Sequence, residues 1–254
     1  MHSDFSTENV MPDNDKNMII TVLGSGTSQG VPVIGCDCPV CRSKDPRDHR
    51  LRTSILIQTP QLTVAVDAGP DFRQQMLREN ITHLDAVLIT HEHKDHIGGL
   101  DDLRPYIFMN QKPMTLYVAD TALPEIQREY SYAFDEHPYP GAPTYDIHRL
   151  DETPFDLGDL HIVPIKLKHF TLICYAFRIG KFAYVTDLSE ISDDIIKRLQ
   201  GVDYLIIEAL GNKKLKLPQV LVYLQTVQKA VHCISTSLIK QTKFKITLLT
   251  SLVD

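Results

Sequence analysis

His91-Glu92-His93-Lys94-Asp95-His96-Ile97-Gly98-Gly99 decides how this chain is read. The stretch follows the apolar run Ala86–Thr90, so it starts where a buried strand is expected to end, the usual place for functional groups in open α/β sheets. Imidazole and carboxylate are ligand types that Zn²⁺, Fe and Mn²⁺ accept. Extended spacing puts His91 and His93 on one side. Asp95 and His96 come from the turn beyond and approach from a second direction, which suits two metals sharing a site better than one closed tetrahedron. A solvated polar loop is the bland alternative, and so dense an H-x-H-x-D-H pattern speaks against it. Glu92 and Lys94 are expected to point to solvent.

Around this stretch the sequence alternates between strand-like and helix-like segments. Ile19–Leu23, Ser54–Gln58, Leu62–Val66, Thr115–Val118, Leu160–Pro164, Cys174–Ile179, Phe182–Thr186 and Tyr204–Glu208 are β-rich runs bounded by Gly, Pro and Asp. Phe72–Glu79, Ala122–Phe134 and Ile191–Leu199 carry helical spacing, with capping groups in Ser189–Asp193 before the last. The interleaving predicts an α/β domain with a buried sheet. The 254 residues are 43% hydrophobic and 23% charged, which excludes low-complexity disorder and collagen. No apolar run approaches the ~18 residues of a membrane span. Met1–Asn17 is polar and acidic with no hydrophobic core, so it reads as a disordered lead-in rather than a secretory signal. Five cysteines, an odd number, favour a reducing, cytoplasmic setting over a disulfide framework.

HEHKDHIGG resembles the signature of the metallo-β-lactamase fold hydrolases. LGSGTSQGVP, CDCPVC and VDAGPDFRQQ at Val66–Gln75 resemble one branch, which includes the phosphodiesterase of the carbon–phosphorus lyase pathway. The resemblance covers about Ile19 to Leu210 and implies a four-layer αβ/βα sandwich with metals at the edge between two sheets. It implies His91, His93 and His169 as ligands of a first metal and Asp95, His96 and Asp187 as ligands of a second. The resemblance further implies that Asp187 bridges the two and that Asp95 and Asp187 are the catalytic carboxylates. Read from the residues alone, His169 is more often a structural histidine than a ligand. Asp187 is either neutralised by a cation or a helix N-cap. Asp67 either orients a ligand imidazole or caps a turn.

Cys36, Cys38 and Cys41 form C-x-C-x₂-C, a structural zinc site lacking its fourth ligand or three reduced thiols. Gly24, Gly26 and Gly30 are spaced G-x-G-x-x-x-G with Pro32 and Gly35 beyond, which excludes a dinucleotide loop and suggests a turn bordering the metal cleft.

The formal net charge of −6 conceals a break. Residues 211–254 hold seven lysines and one acid, net +6, and residues 1–210 carry −12. Leu217, Val220, Leu221, Leu224, Val227 and Val231 follow helical spacing, and Phe244–Leu249 reads as a strand. The resemblance implies a late L-T-H-x-S-H string whose histidines complete the second metal site and the cysteine site. Here Leu249-Thr250-Ser251 has serine in place of the first histidine, and after Asp187 the only histidine is His232. The segments are therefore read as a lead-in (1–17), a hydrolase domain (18–210) and an atypical tail (211–254) packed on that domain. A reading-frame change or a divergent tail would each produce the break.

The expected function is metal-dependent hydrolysis of a small cyclic or nucleotide phosphodiester by a metal-activated water. The expected cofactors are Zn²⁺, or Mn²⁺ or Fe, up to two at the active site, with a separate structural Zn²⁺ at the cysteines. RNA 3′-end processing is an alternative, disfavoured by a body of net −12. A catalytically impaired metal-binding domain is another. The expected partners are a small-molecule substrate and a second copy in a homodimer, without membrane or nucleic acid.

Overall fold

The computed structural model describes residues 18–189, 191–208, 222–225 and 245–248. Short runs of Val, Ile, Ala and Leu build the centre of a first sheet. Its strands are β1 (Met18–Gly24), β2 (Ser54–Gln58), β3 (Thr63–Val66), β4 (Ala86–Leu88), β5 (Met114–Ala119) and β6 (Tyr145–Leu150). They lie in that order, antiparallel from β1 to β3 and parallel from β3 to β6. Val64–Val66 and Ala86–Leu88 are fully buried, as strands covered on both faces must be. The second sheet contains β7 (Phe155–Leu157), β8 (Leu160–His169), β9 (Leu172–Ile179), β10 (Phe182–Val185) and β11 (Tyr204–Glu208).

Helices α1 (Phe72–Arg78), α2 (Lys94–Ile97), α3 (Arg104–Asn110), α4 (Leu123–Glu129) and α5 (Asp193–Arg198) complete the described elements, apart from short 3₁₀ turns and two tail strands. Residues of both sheets meet in one core: Ile20, Ile57 and Val64 belong to the same cluster as Ile162, Phe177, Phe182 and Tyr184. Phe72, Tyr106 and Ile126 bring α1, α3 and α4 onto the first sheet. Ile195 and Leu199 pack α5 against Val185, Leu205 and Ile207 of the second. The result is the expected α/β architecture, two sheets between helical layers.

Several boundaries differ from the sequence reading. The run Ala86–Thr90 leaves the ladder after Leu88, because the Thr90 amide donates to the Asp67 side chain instead of a neighbouring strand. The strand at Leu160 continues through Pro164 to His169. β7 pairs only as far as Ile162, so Pro164 has β9 on one side and removes no ladder bond on the other. Ala122–Phe134 breaks at Tyr130 into α4 and a 3₁₀ turn over Ser131–Ala133.

The helical reading of the tail is corrected within its described part. Val222–Gln225 is a strand, β12, parallel to β11, so here sheet pairing overrides an i, i+3, i+4 pattern. Lys245–Leu248 is strand β13, antiparallel to β1, as the Phe244–Leu249 run predicted. His232 and Ser251, and the expected lead-in at 1–17, lie outside the described residues. Among the described residues no helix is long and apolar enough to cross a membrane.

Candidate metal centre

The signature occupies the exit from β4. His91 ends the buried segment, and His93, with extended backbone (ψ 147°), caps the single helical turn α2 that carries Asp95 and His96. This turn explains the two directions of approach. The Asp67-Ala68-Gly69 loop after β3 backs onto it: the Ala68 amide donates to the His96 carbonyl at 2.8 Å. At Gly69 a Cβ would lie 2.0 Å from the Asp95 carbonyl oxygen, so only glycine lets the two backbones come this close.

The side chains converge. His91 Nε2 and His93 Nδ1 are 2.9 Å apart, and the His169 ring lies 5.1 and 5.0 Å from the rings of His91 and His93. One ligand atom from each of His91, His93 and His169 falls within 4.8 Å of the others, and the same holds for His91, His96 and Asp187. Asp187 Oδ2 is 3.0 Å from His96 Nε2, and its Oδ1 is 3.8 Å from His169 Nε2. Asp95 Oδ2 stands 3.4 Å from His96 Nε2. All six residues predicted for the two sites are thus brought to one place. The N-cap of α5 is Ser192, whose hydroxyl accepts from the Ile195 amide, so Asp187 is not that cap.

Asp67, fully buried, accepts from the Thr90 amide at 2.8 Å, the Thr90 hydroxyl at 2.9 Å and His96 Nδ1 at 2.7 Å. Thr90 Oγ1 also stands 3.0 Å from His91 Nδ1. Asp67 and Thr90 therefore engage the Nδ1 atoms of His96 and His91 and leave each Nε2 facing the cluster. This answers the open choice at Asp67. Thr90 was not singled out from the sequence; a hydroxyl at the end of an otherwise apolar buried run was the available sign. Both Asp67 (φ +66°) and Asp187 (φ +53°) hold left-handed backbone, which is costly for non-glycine residues and concentrates at functional sites.

Electrostatics favour neutral imidazole at His91. Burial, with His96, His93 and His169 beside it, pushes its pKa down to about 2 against the pull of Asp187. Burial also lowers His169. Burial opposes ionisation of Asp187, yet His96, His91 and the Thr186 hydroxyl outweigh it and hold the carboxyl below its usual range. At the Asp67–His96 contact the two groups compete: burial raises Asp67, and the carboxylates of Asp67, Asp187 and Asp95 raise His96 against burial. In either form the proton lies on the 2.7 Å contact.

The residues fit a metal. Among the described residues, His96 Nε2 is buried without a hydrogen bond although Asp187 is near. Buried carboxylates and imidazole nitrogens converging in this way are the donor set a divalent cation satisfies.

Cys36, Cys38 and Cys41 are half-buried with their sulfurs within 4.8 Å of one another. The Val33 amide donates to Cys41 Sγ and the Cys41 amide to Cys38 Sγ, both at 3.3 Å. At Gly24 a Cβ would lie 1.8 Å from the Arg52 carbonyl oxygen, so the glycine-rich turn is explained by contact with another backbone segment. Lys94 is exposed and pairs with Glu129, but Glu92 is half-buried rather than solvated.

Two facing sheets with a His/Asp cluster at the strand ends are the architecture of the metallo-β-lactamase fold. The beta-lactamase superfamily domain matches residues 63–235, more than half of the chain, and the chain belongs to that family. The chain is similar to a solved diphosphatase from the PhnP family, with 38% identity, TM-score 0.71, and coverage of 81% of this chain and 78% of that one. It shares its fold with Zn²⁺-bound PqqB from Methylobacterium extorquens, at 21% identity, TM-score 0.62, and coverage of 76% and 73%. It is 42% identical over 195 residues to an octanoyltransferase of Porphyromonas gingivalis. That match covers 76% of this chain but only 39% of the relative's length.

Proposed function

We propose that the chain is a metal-dependent phosphodiesterase acting on a small cyclic or nucleotide phosphodiester. The observation that carries this reading is Asp187. Its two oxygens face different groups, Oδ2 toward His96 and Oδ1 toward His169, as a carboxylate shared between neighbouring metals would. On this reading His91, His93 and His169 hold one ion, and Asp95, His96 and Asp187 hold the other, zinc being the favoured metal and manganese or iron the alternatives. When bound, a metal pair supplies an activated water and positive charge for the phosphoryl oxygens. The chain's own part is to keep its ligands deprotonated and aimed: burial keeps His91 neutral, and Asp67 and Thr90 fix the imidazole orientations of His96 and His91. The diphosphatase likeness supports hydrolysis at a phosphoryl group, and the −12 charge of residues 1–210 disfavours a long nucleic-acid substrate.

The test is turnover of bis(p-nitrophenyl) phosphate with added Zn²⁺ or Mn²⁺. Wild type is expected to hydrolyse it, and His93→Ala to lose at least two orders of magnitude in kcat/KM. Absence of metal-dependent turnover in wild type, or unchanged turnover in the variant, refutes the proposal.

A further inference from the structure

Phe170 follows His169 in the turn between β8 and β9 and is 67% exposed, a large apolar side chain beside a polar cluster. Its ring centroid lies 5.0 Å from that of His169, with the planes tilted by 59°. Its backbone is left-handed (φ +52°), a conformation bulky residues rarely adopt. That conformation is tied down: the Phe170 amide donates to Ser189 Oγ at 2.8 Å, and the Ser189 amide donates to the Lys168 carbonyl at 3.2 Å. Ser189 stands two residues beyond Asp187. The two loops that deliver His169 and Asp187 are thereby joined, and the same junction holds the Phe170 ring in the open at the edge of the cluster. Core packing does not explain an aromatic ring held in that position.

We propose that Phe170 determines specificity, as a shelf on which an aromatic substituent of the phosphodiester, a nucleobase or aryl group, stacks while its phosphoryl group faces the His/Asp cluster. The inference rests on the phosphodiesterase reading for the placement of the phosphoryl group. The exposed ring offers apolar surface to a stacking partner, and offset or edge contacts between aromatic rings add to plain area burial.

The experiment uses the full chain loaded with Zn²⁺ and measures, by titration calorimetry, binding of the monomethyl esters of phenylphosphonate and methylphosphonate. Wild type is expected to prefer the phenyl ester about tenfold, the upper range for one aromatic pair. Phe170→Ala is expected to bring the phenyl ester to the affinity of the methyl ester with zinc content unchanged, and Phe170→Tyr to retain the preference. A preference that survives in Phe170→Ala, equal affinities in wild type, or no binding of either ester overturns the shelf. Hydrolysis of bis(p-nitrophenyl) phosphate by the same samples separates the two readings. Preference without turnover refutes only the phosphodiesterase, and turnover without preference refutes only the shelf.

Discussion

Replacing Asp67 with Asn keeps shape and removes one acceptor, and the geometry leaves the amide no comfortable orientation. Oδ1 accepts from the Thr90 amide at 2.8 Å; Oδ2 accepts from the Thr90 hydroxyl at 2.9 Å and His96 Nδ1 at 2.7 Å. If the new NH₂ takes the Oδ1 position, it confronts another N–H. A buried hydrogen bond is lost and two donors are left unpaired, at about 1–3 kcal/mol. If it takes the Oδ2 position, His96 Nδ1 must become an acceptor. The ring proton then moves to Nε2, the nitrogen facing Asp187, and the lone pair needed for a metal disappears. Either way metal affinity is expected to fall about 10–100-fold, the usual effect of losing a group that orients a ligand, or about 1.4–2.7 kcal/mol. Competition with a chromophoric zinc chelator measures this directly. Thr90→Val, which keeps the Asp67 carboxyl and its contact with His96 Nδ1, is expected to lose less. Zinc affinity of Asp67→Asn within twofold of wild type would show that His96 is not oriented through this contact.

Two further outcomes follow from the same geometry. Gly69→Ala is expected to destabilise the chain by about 1–3 kcal/mol, because its Cβ would meet the Asp95 carbonyl at 2.0 Å and the loop must shift. Urea unfolding measures this, and an unchanged midpoint would refute the close-approach argument. Cys38→Ser is expected to lower zinc content by the share held at the cysteines while leaving hydrolysis and the His-cluster metal in place. Elemental analysis of variant and wild type decides, and equal zinc in both would exclude a metal at Cys36, Cys38 and Cys41.

The site was far more legible than some of the fold. H-x-H-x-D-H concentrates ligand chemistry in consecutive residues, so local spacing already says that the side chains converge. His169 and Asp187 were reached only through resemblance, because a single His or Asp at a strand end is ambiguous until the strand has a neighbour. β6 and β7 escaped because Tyr145–Leu150 and Phe155–Leu157 are half-exposed edge segments with weak apolar signal. The 222–225 segment shows the reverse failure, where helical spacing lost to pairing with β11.

What the sequence by itself determined was the ligand inventory, the alternation of strands and helices, and the family. These depend on residue type and short-range spacing. Only the tertiary structure decided which oxygen of Asp187 faces which histidine, that Asp67 and Thr90 orient the ligand rings, and that Ser189 holds Phe170 at the rim. Apart from the neighbours Thr90 and His91, those relations join residues 18 to 91 positions apart, and no local pattern encodes the direction of a side chain across such a gap.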